Sequence, residues 1–131
     1  MVGLRKRVYL AWRDAKVDRA DYARWLLETQ APGMLALDPA KLRVCVADVD
    51  AEFAVVAPVD GPGGVLSACV SAWLEPGPAE VGLEEMLAAR SLRVARYAVT
   101  EAVPVAYTDR TWADGERTPG ACLVSAFRQR R

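Results

Sequence analysis

Between Val65 and Leu74 the chain alternates without interruption, setting Leu66, Ala68, Val70, Ala72 and Leu74 against Val65, Ser67, Cys69, Ser71 and Trp73. A period of two is that of an extended strand, because successive side chains leave opposite faces of a pleated sheet. The first set is wholly aliphatic, so that face needs a covering layer. The second is largely small, polar or aromatic and meets different surroundings. A chain with such a strand must build a sheet and something to lay on it. The 131 residues, 53% hydrophobic, suffice for one domain with a core, whereas two domains would each be too small to be stable.

The other elements follow from the same kind of pattern. Arg7 to Trp12 is rich in strand formers and reads as a first strand. Asp18 or Asp21 can cap the helix after it, on which Tyr22, Trp25, Leu26 and Thr29 form an apolar stripe while Arg19, Arg24 and Glu28 point outward. Pro32-Gly33 kinks or ends that helix. Lys41 to Asp48 reads as a second strand, with Leu42, Val44 and Val46 against Arg43, Cys45 and Ala47. Asp60-Gly61-Pro62-Gly63-Gly64 is a turn, and Val65 to Leu74 is the third strand. Past Pro76, Gly77 and Pro78 comes a second helix around Val81 to Ala89, with Leu83, Met86 and Leu87 inward, and Leu92 to Val103 is the fourth strand.

The order β-α-β-β-α-β is that of a ferredoxin-like α+β unit, here residues 1–108. Residues 109–131 add a polar loop and an extra C-terminal strand, Ala121 to Phe127. That strand echoes the first one, Ser125-Ala126-Phe127-Arg128 beside Leu10-Ala11-Trp12-Arg13, so it reads either as the start of a second copy of the unit or as a strand used in place, within the sheet or across to a partner.

Seventeen basic and seventeen acidic residues cancel, so no overall field draws the chain to nucleic acid or to an acidic membrane surface. The basic ends, Arg5-Lys6-Arg7 and Arg128-Gln129-Arg130-Arg131, read as solvated termini. Cys45, Cys69 and Cys122 are odd in number and lie in apolar strands, which predicts buried, reduced thiols and a cytoplasmic protein. No apolar run is long enough for a membrane span, and the N-terminus lacks the pattern of a signal peptide. With no histidine in the chain, the commonest general base and the commonest zinc ligand are missing, and no Ser-His-Asp or Cys-His system can form. The glycine turn has a proline, Pro62, where a phosphate loop needs an N–H donor, and it lacks the Gly-Lys-Ser/Thr ending, so nucleotide cofactors are not expected. Asp48, Asp50 and Glu52 read as an acidic loop after a strand rather than a metal site.

One stretch carries a family resemblance. A strand ending in Trp12-Arg13 leads through a polar turn to Asp21-Tyr22-Ala23-Arg24-Trp25-Leu26 and closes at Gln30-Ala31-Pro32. This resembles the opening of EthD-like proteins, in which Arg residues end the first strand, the helix has the form acidic-aromatic-x-x-Trp, and His-Ala-Pro closes it. Here Gln30 replaces the His. Arg96-Tyr97-Ala98-Val99-Thr100-Glu101, followed by Pro104 and Tyr107, resembles the family's last strand. The resemblance implies that the ferredoxin-like unit pairs through its bare sheet face into a dimeric α+β barrel enclosing a pocket.

The candidate site residues follow from residue chemistry and from that resemblance. Tyr97 and Glu101 alternate on one strand face, the phenol able to donate to a developing oxyanion and the carboxylate able to titrate near neutrality if desolvated. Gln30 stands where the family has its polar residue and can hydrogen-bond a ligand carbonyl but cannot shuttle a proton. Trp73, Ser67 and Ser71 line a small-polar strand face that leaves room for a ligand, and Trp25 and Tyr107 are further candidate walls. For Trp25 a core role is the competing explanation, as plain packing is for the serines. The resemblance implies a cofactor-free enzyme acting on an aromatic or polyketide-like small molecule in natural product biosynthesis, a cyclase, monooxygenase or dehydratase working as a homodimer without metal. The missing His points to the alternative, a non-catalytic small-molecule binding or accessory protein of the same fold.

Overall fold

The computed structural model describes residues 4–46, 66–100, 113, 115 and 116. The chain divides into two compact units, Met1–Thr100 and Glu101–Arg131. In the second, described residues form a turn in which Glu116 donates its N–H to the Ala113 carbonyl and accepts from the Ala113 N–H, with Gly115 at φ 87°. The predicted strand Ala121 to Phe127 lies outside the described residues, as do Glu101, Tyr107 and the acidic run at Asp48, Asp50 and Glu52.

The first unit contains β1 (Arg5–Arg13), α1 (Arg19–Arg24), a π-helical turn (Trp25–Gln30), α2 (Ala31–Leu35), β2 (Lys41–Val46), β3 (Ala68–Leu74), α3 (Pro78–Ala88) and β4 (Ser91–Ala98). The four strands form one antiparallel sheet in the order β2-β3-β1-β4. This α+β arrangement is compatible with the ferredoxin-like unit expected from the sequence. Direct pairings such as Tyr9 with Val70, Val44 with Val70 and Tyr9 with Arg96 fix which residues share a face.

Tyr9, Ala11, Ala68, Val70, Ala72 and Leu74 point to the helices and are buried with Tyr22, Leu26, Met34, Leu83 and Leu87. The aliphatic half of the β3 pattern is therefore the core face. Truncating a fully buried leucine such as Leu83 to Ala would cost about 2 to 5 kcal/mol, because the transfer term and the resulting cavity add.

The entry to α1 is built from aspartates. Asp14 Oδ1 accepts from the Lys16 N–H, turning the chain out of β1, and Asp18 Oδ2 accepts from the Ala20 N–H as the N-cap. The helix then neither ends nor breaks at Pro32-Gly33. It runs through the π turn, where the Ala31 N–H reaches the Leu26 carbonyl, and on to Leu35. Proline has no N–H and its ring clashes with the carbonyl four residues back, and a widened turn just before it relieves both demands. The widening inserts one residue into the helical period, so the inward stripe runs Tyr22, Trp25, Leu26, then Gln30 and Met34. Thr29, expected on the stripe, is exposed.

The second helix begins earlier than expected, at Pro78, after Gly77 at φ 113°, a conformation that L side chains rarely adopt. Pro78 suits the first turn because its missing N–H would be unpaired there. Leu83 and Leu87 are buried and Met86 half-buried, as the stripe predicted. β4 ends at Ala98, short of the expected Val103 as far as the described residues reach. Its pairing with β1 shifts register between Trp12 and Arg13, which leaves Leu92 as an extra residue, 62% exposed.

Candidate functional site

Strand register turns the face away from the core into a set of rows. Lys41, Trp73 and Lys6 form one row across β2, β3 and β1, and Arg43, Ser71, Val8 and Tyr97 form the next across all four strands. Cys45, Cys69, Leu10 and Ala95 follow, then Trp12 beside Arg93. At strand spacings of about 4.8 Å and a rise of about 3.4 Å per residue, these rows cover roughly 20 by 14 Å.

This face, which no described helix covers and which is called the open face below, has an apolar and small middle with basic edges. Val8, Leu10, Cys69, Ser71 and Trp73 are half-buried on the central strands, while Lys41, Arg43 and Arg93 are exposed on the outer ones. None of these described strand positions carries Asp or Glu. The mostly apolar bare face expected from the middle strands is thus framed by cations. The Arg93 guanidinium lies 4.8 Å from the centre of the Trp12 ring, a cation–π contact that orients both. The Trp12 ring is buried, and its indole N–H has no hydrogen-bond acceptor.

The sequence-derived site residues separate into two groups. Tyr97, Trp73 and Ser71 lie on the open face, Tyr97 being 49% exposed in the same row as Arg43 and Ser71. Ser67 lies at the end of that face, where its Oγ accepts from the Arg13 N–H at 3.0 Å beside the register shift. Trp25 and Gln30 are in the helical layer, on the other side of the sheet. Trp25 packs against Tyr22 at 5.3 Å between ring centres and holds the Arg90 guanidinium at 5.6 Å. Gln30 donates its side-chain amide to the Met86 carbonyl at 2.7 Å, which ties the π turn to the end of α3. Gln30 therefore supports the packing of two helices, and the residues described do not bring it beside Tyr97.

Charges inside the helical layer are neutralised locally. Glu80, on the first turn of α3, is buried, and its Oε1 lies 2.9 Å from Arg7 Nε, an ion pair off hydrogen-bond alignment. Arg96 reaches Glu80 at 4.0 Å and Glu84 at 3.8 Å. The Tyr9 hydroxyl donates to the Glu80 carbonyl at 3.1 Å, and burial, aided by the negative charge of Glu80, pushes its pKa up to about 12. The Ser91 hydroxyl donates to the Leu87 carbonyl, so Tyr22 is left to donate its own proton to Ser91 Oγ at 2.8 Å. Burial raises the Tyr22 pKa, opposed by that hydrogen bond and by Arg13.

An open depression of about 520 Å³ lies along α1 next to Trp25. Its rim alternates Lys16, Arg24 and Arg90 with Asp18, Asp21 and Glu28, so it selects for no sign of charge. Among the described residues no group of three His, Cys, Asp or Glu side chains is placed to hold a metal ion, and no helix is long and apolar enough to cross a membrane.

Sequence reasoning missed Glu80, Arg93 and Trp12. The signal for Arg93 was its odd-numbered place beside Tyr97 on β4, whereas the burial of Glu80 had no local signal because its partner Arg7 lies on β1, far away in the chain. In comparisons with known proteins, no family model matches the chain and no curated protein matches it.

Proposed function

We propose that the open sheet face binds a planar aromatic or polyketide-like small molecule that carries an oxyanion such as a carboxylate, phenolate or enolate. One observation carries the reading: aromatic side chains and cations share this face with small residues, and no described strand residue on it is acidic. Aromatic rings offer stacking surface, small residues leave space above the strands, and Lys41, Arg43 and Arg93 favour negative charge. As the EthD-like resemblance implies, a second copy of the chain encloses the ligand, and the bound anion offsets the repulsion between two like-charged faces.

The activity this reading supports first is binding, since Gln30 is committed to the Met86 carbonyl and the chain has no histidine to carry protons. A second reading, a cofactor-free cyclase, monooxygenase or dehydratase, is favoured by the exposed Tyr97 hydroxyl in the row of Arg43. There the phenol can donate to an enolate as it forms, while Arg43, three strand spacings or about 14 Å away along the row, is left to a second anionic group of the ligand.

Calorimetric titration with 2-naphthoate and its neutral analogue 2-naphthamide tests the binding reading. The carboxylate is expected to bind about tenfold or more tightly, an advantage that falls with salt and vanishes in the Lys41→Gln/Arg43→Gln double variant. Equal affinity for the two compounds, or an unaffected double variant, would sink it. For the catalytic reading, Tyr97→Phe should lower turnover of an enolisable aromatic ketone while leaving its affinity within a few-fold.

A further inference from the structure

Trp12 and Arg93 are paired directly across β1 and β4, and strand parity puts both on the open face, because Tyr9 and Ala11 of β1 point to the helices. The Arg93 guanidinium lies on the Trp12 ring, 4.8 Å from its centre, and Arg93 is exposed. Beneath it Trp12 is only 7% exposed, and its indole N–H is buried without an acceptor. The Ser67 oxygen at the same end of the face is taken by the Arg13 N–H instead. Nearly every buried N–H in a folded chain has a partner, and one left unpaired costs free energy that is recovered when an oxygen accepts from it. An indole N–H only donates, so what it can bind is an acceptor.

We propose, resting on the small-molecule reading above, that Trp12 and Arg93 form a second polar subsite of the open face, which takes a carbonyl or phenolate oxygen at the end of the ligand remote from its carboxylate. Arg43 lies opposite Val8 through Ser71, and Trp12 is four residues beyond Val8 on β1. At about 4.8 Å per strand and about 3.4 Å per residue, the Cα atoms of Arg43 and Trp12 are about 17 Å apart, so one ligand uses both only if it is extended. The ligand class narrows to planar compounds of two or more fused rings with an anion at one end and an acceptor oxygen at the other. That oxygen accepts from the indole N–H, while the guanidinium on the ring favours its negative charge. Because the N–H is shut off from water, a side chain must move to admit the oxygen, and Arg93, exposed on top of the ring, can swing into solvent and close again. A donor held in a dry site discriminates strongly, since a ligand without the oxygen leaves it unpaired.

Calorimetric titration of the full chain with 2-naphthoate, 6-acetyl-2-naphthoate and 6-isopropyl-2-naphthoate provides the test, since the last two differ in whether a carbonyl oxygen stands opposite the carboxylate. The acetyl compound should bind about fivefold or more tightly than the isopropyl one. Trp12→Phe keeps a ring under Arg93 but has no N–H, so it should abolish that advantage while leaving affinity for the isopropyl compound within about twofold. Nuclear magnetic resonance reads the same contact on the native chain and needs no variant. The Trp12 indole proton, assigned through its backbone, should move downfield with the acetyl compound and stay in place with the isopropyl one. If 2-naphthoate binds but the acetyl compound gains nothing, gains as much in Trp12→Phe, or leaves the indole proton in place, the subsite is refuted while the small-molecule reading stands. No binding of 2-naphthoate would overturn both.

Discussion

On the covered face of the sheet Arg7 and Arg96 meet Glu80 and Glu84, whereas on the open face Lys41, Arg43 and Arg93 stand on strands whose described positions include no acid. Both faces come from the same four strands by alternation. The difference lies in what each charge costs. A guanidinium beneath a helix has lost most of its water and needs a partner, so Glu80 is buried with it. A cation at the edge of an open face keeps its water, and its field stays available to an incoming anion.

The sharpest test of that contrast sets Glu80→Ala against Arg43→Ala. The first leaves Arg7 buried without its counter-ion and should lower stability by about 3 kcal/mol, while the second should change it by no more than about 0.5 kcal/mol. Urea denaturation of both variants measures the two effects, and similar losses would show that the faces do not differ as described.

A smaller effect should appear at alkaline pH. The folded chain holds the Tyr9 proton up to about pH 12, while the unfolded chain releases it at the ordinary value of 10.0. The stability from Tyr9 is fully present below pH 10 and is lost as the pH rises through 12, by about 3 kcal/mol in all. Melting temperatures from pH 9 to pH 12 should fall more steeply in the native chain than in Tyr9→Phe.

The smallest expected effect probes the helix that covers the sheet. Gln30→Ala removes the bond to the Met86 carbonyl and should cost about 1 kcal/mol. Thr29→Ala, one residue earlier and exposed, should cost almost nothing. A helix with regular α periodicity would give the reverse order, so thermal melts of the two variants distinguish the π turn from an unbroken α-helix.

Much of the architecture was legible in local pattern. The alternation of β3 identified its buried face residue by residue, the split of Leu42 and Val44 from Arg43 and Cys45 gave β2 its two sides, and Leu83 and Leu87 marked the inner stripe of α3. Each is a short-range signal, since one face of one element meets one environment. The site was less legible. Trp73, Ser71 and Tyr97 were placed correctly on strands, but Gln30 and Trp25, grouped with them, lie across the sheet in the helical layer.

The amino-acid sequence by itself determined the elements, their order and the absence of any histidine chemistry, because these depend on residue type and on periods of two or about 3.6. Tertiary structure alone decided the rest. A proline met inside a packed helix widened the turn before it and moved the inward position from Thr29 to Gln30. Packing α3 on the sheet buried Glu80 between two arginines. Strand register set Cys45 opposite Cys69 and Arg93 over Trp12. Each of these joins residues far apart in the chain or shifts a phase by one residue, and no local pattern records a pairing whose energy exists only once both partners are in place.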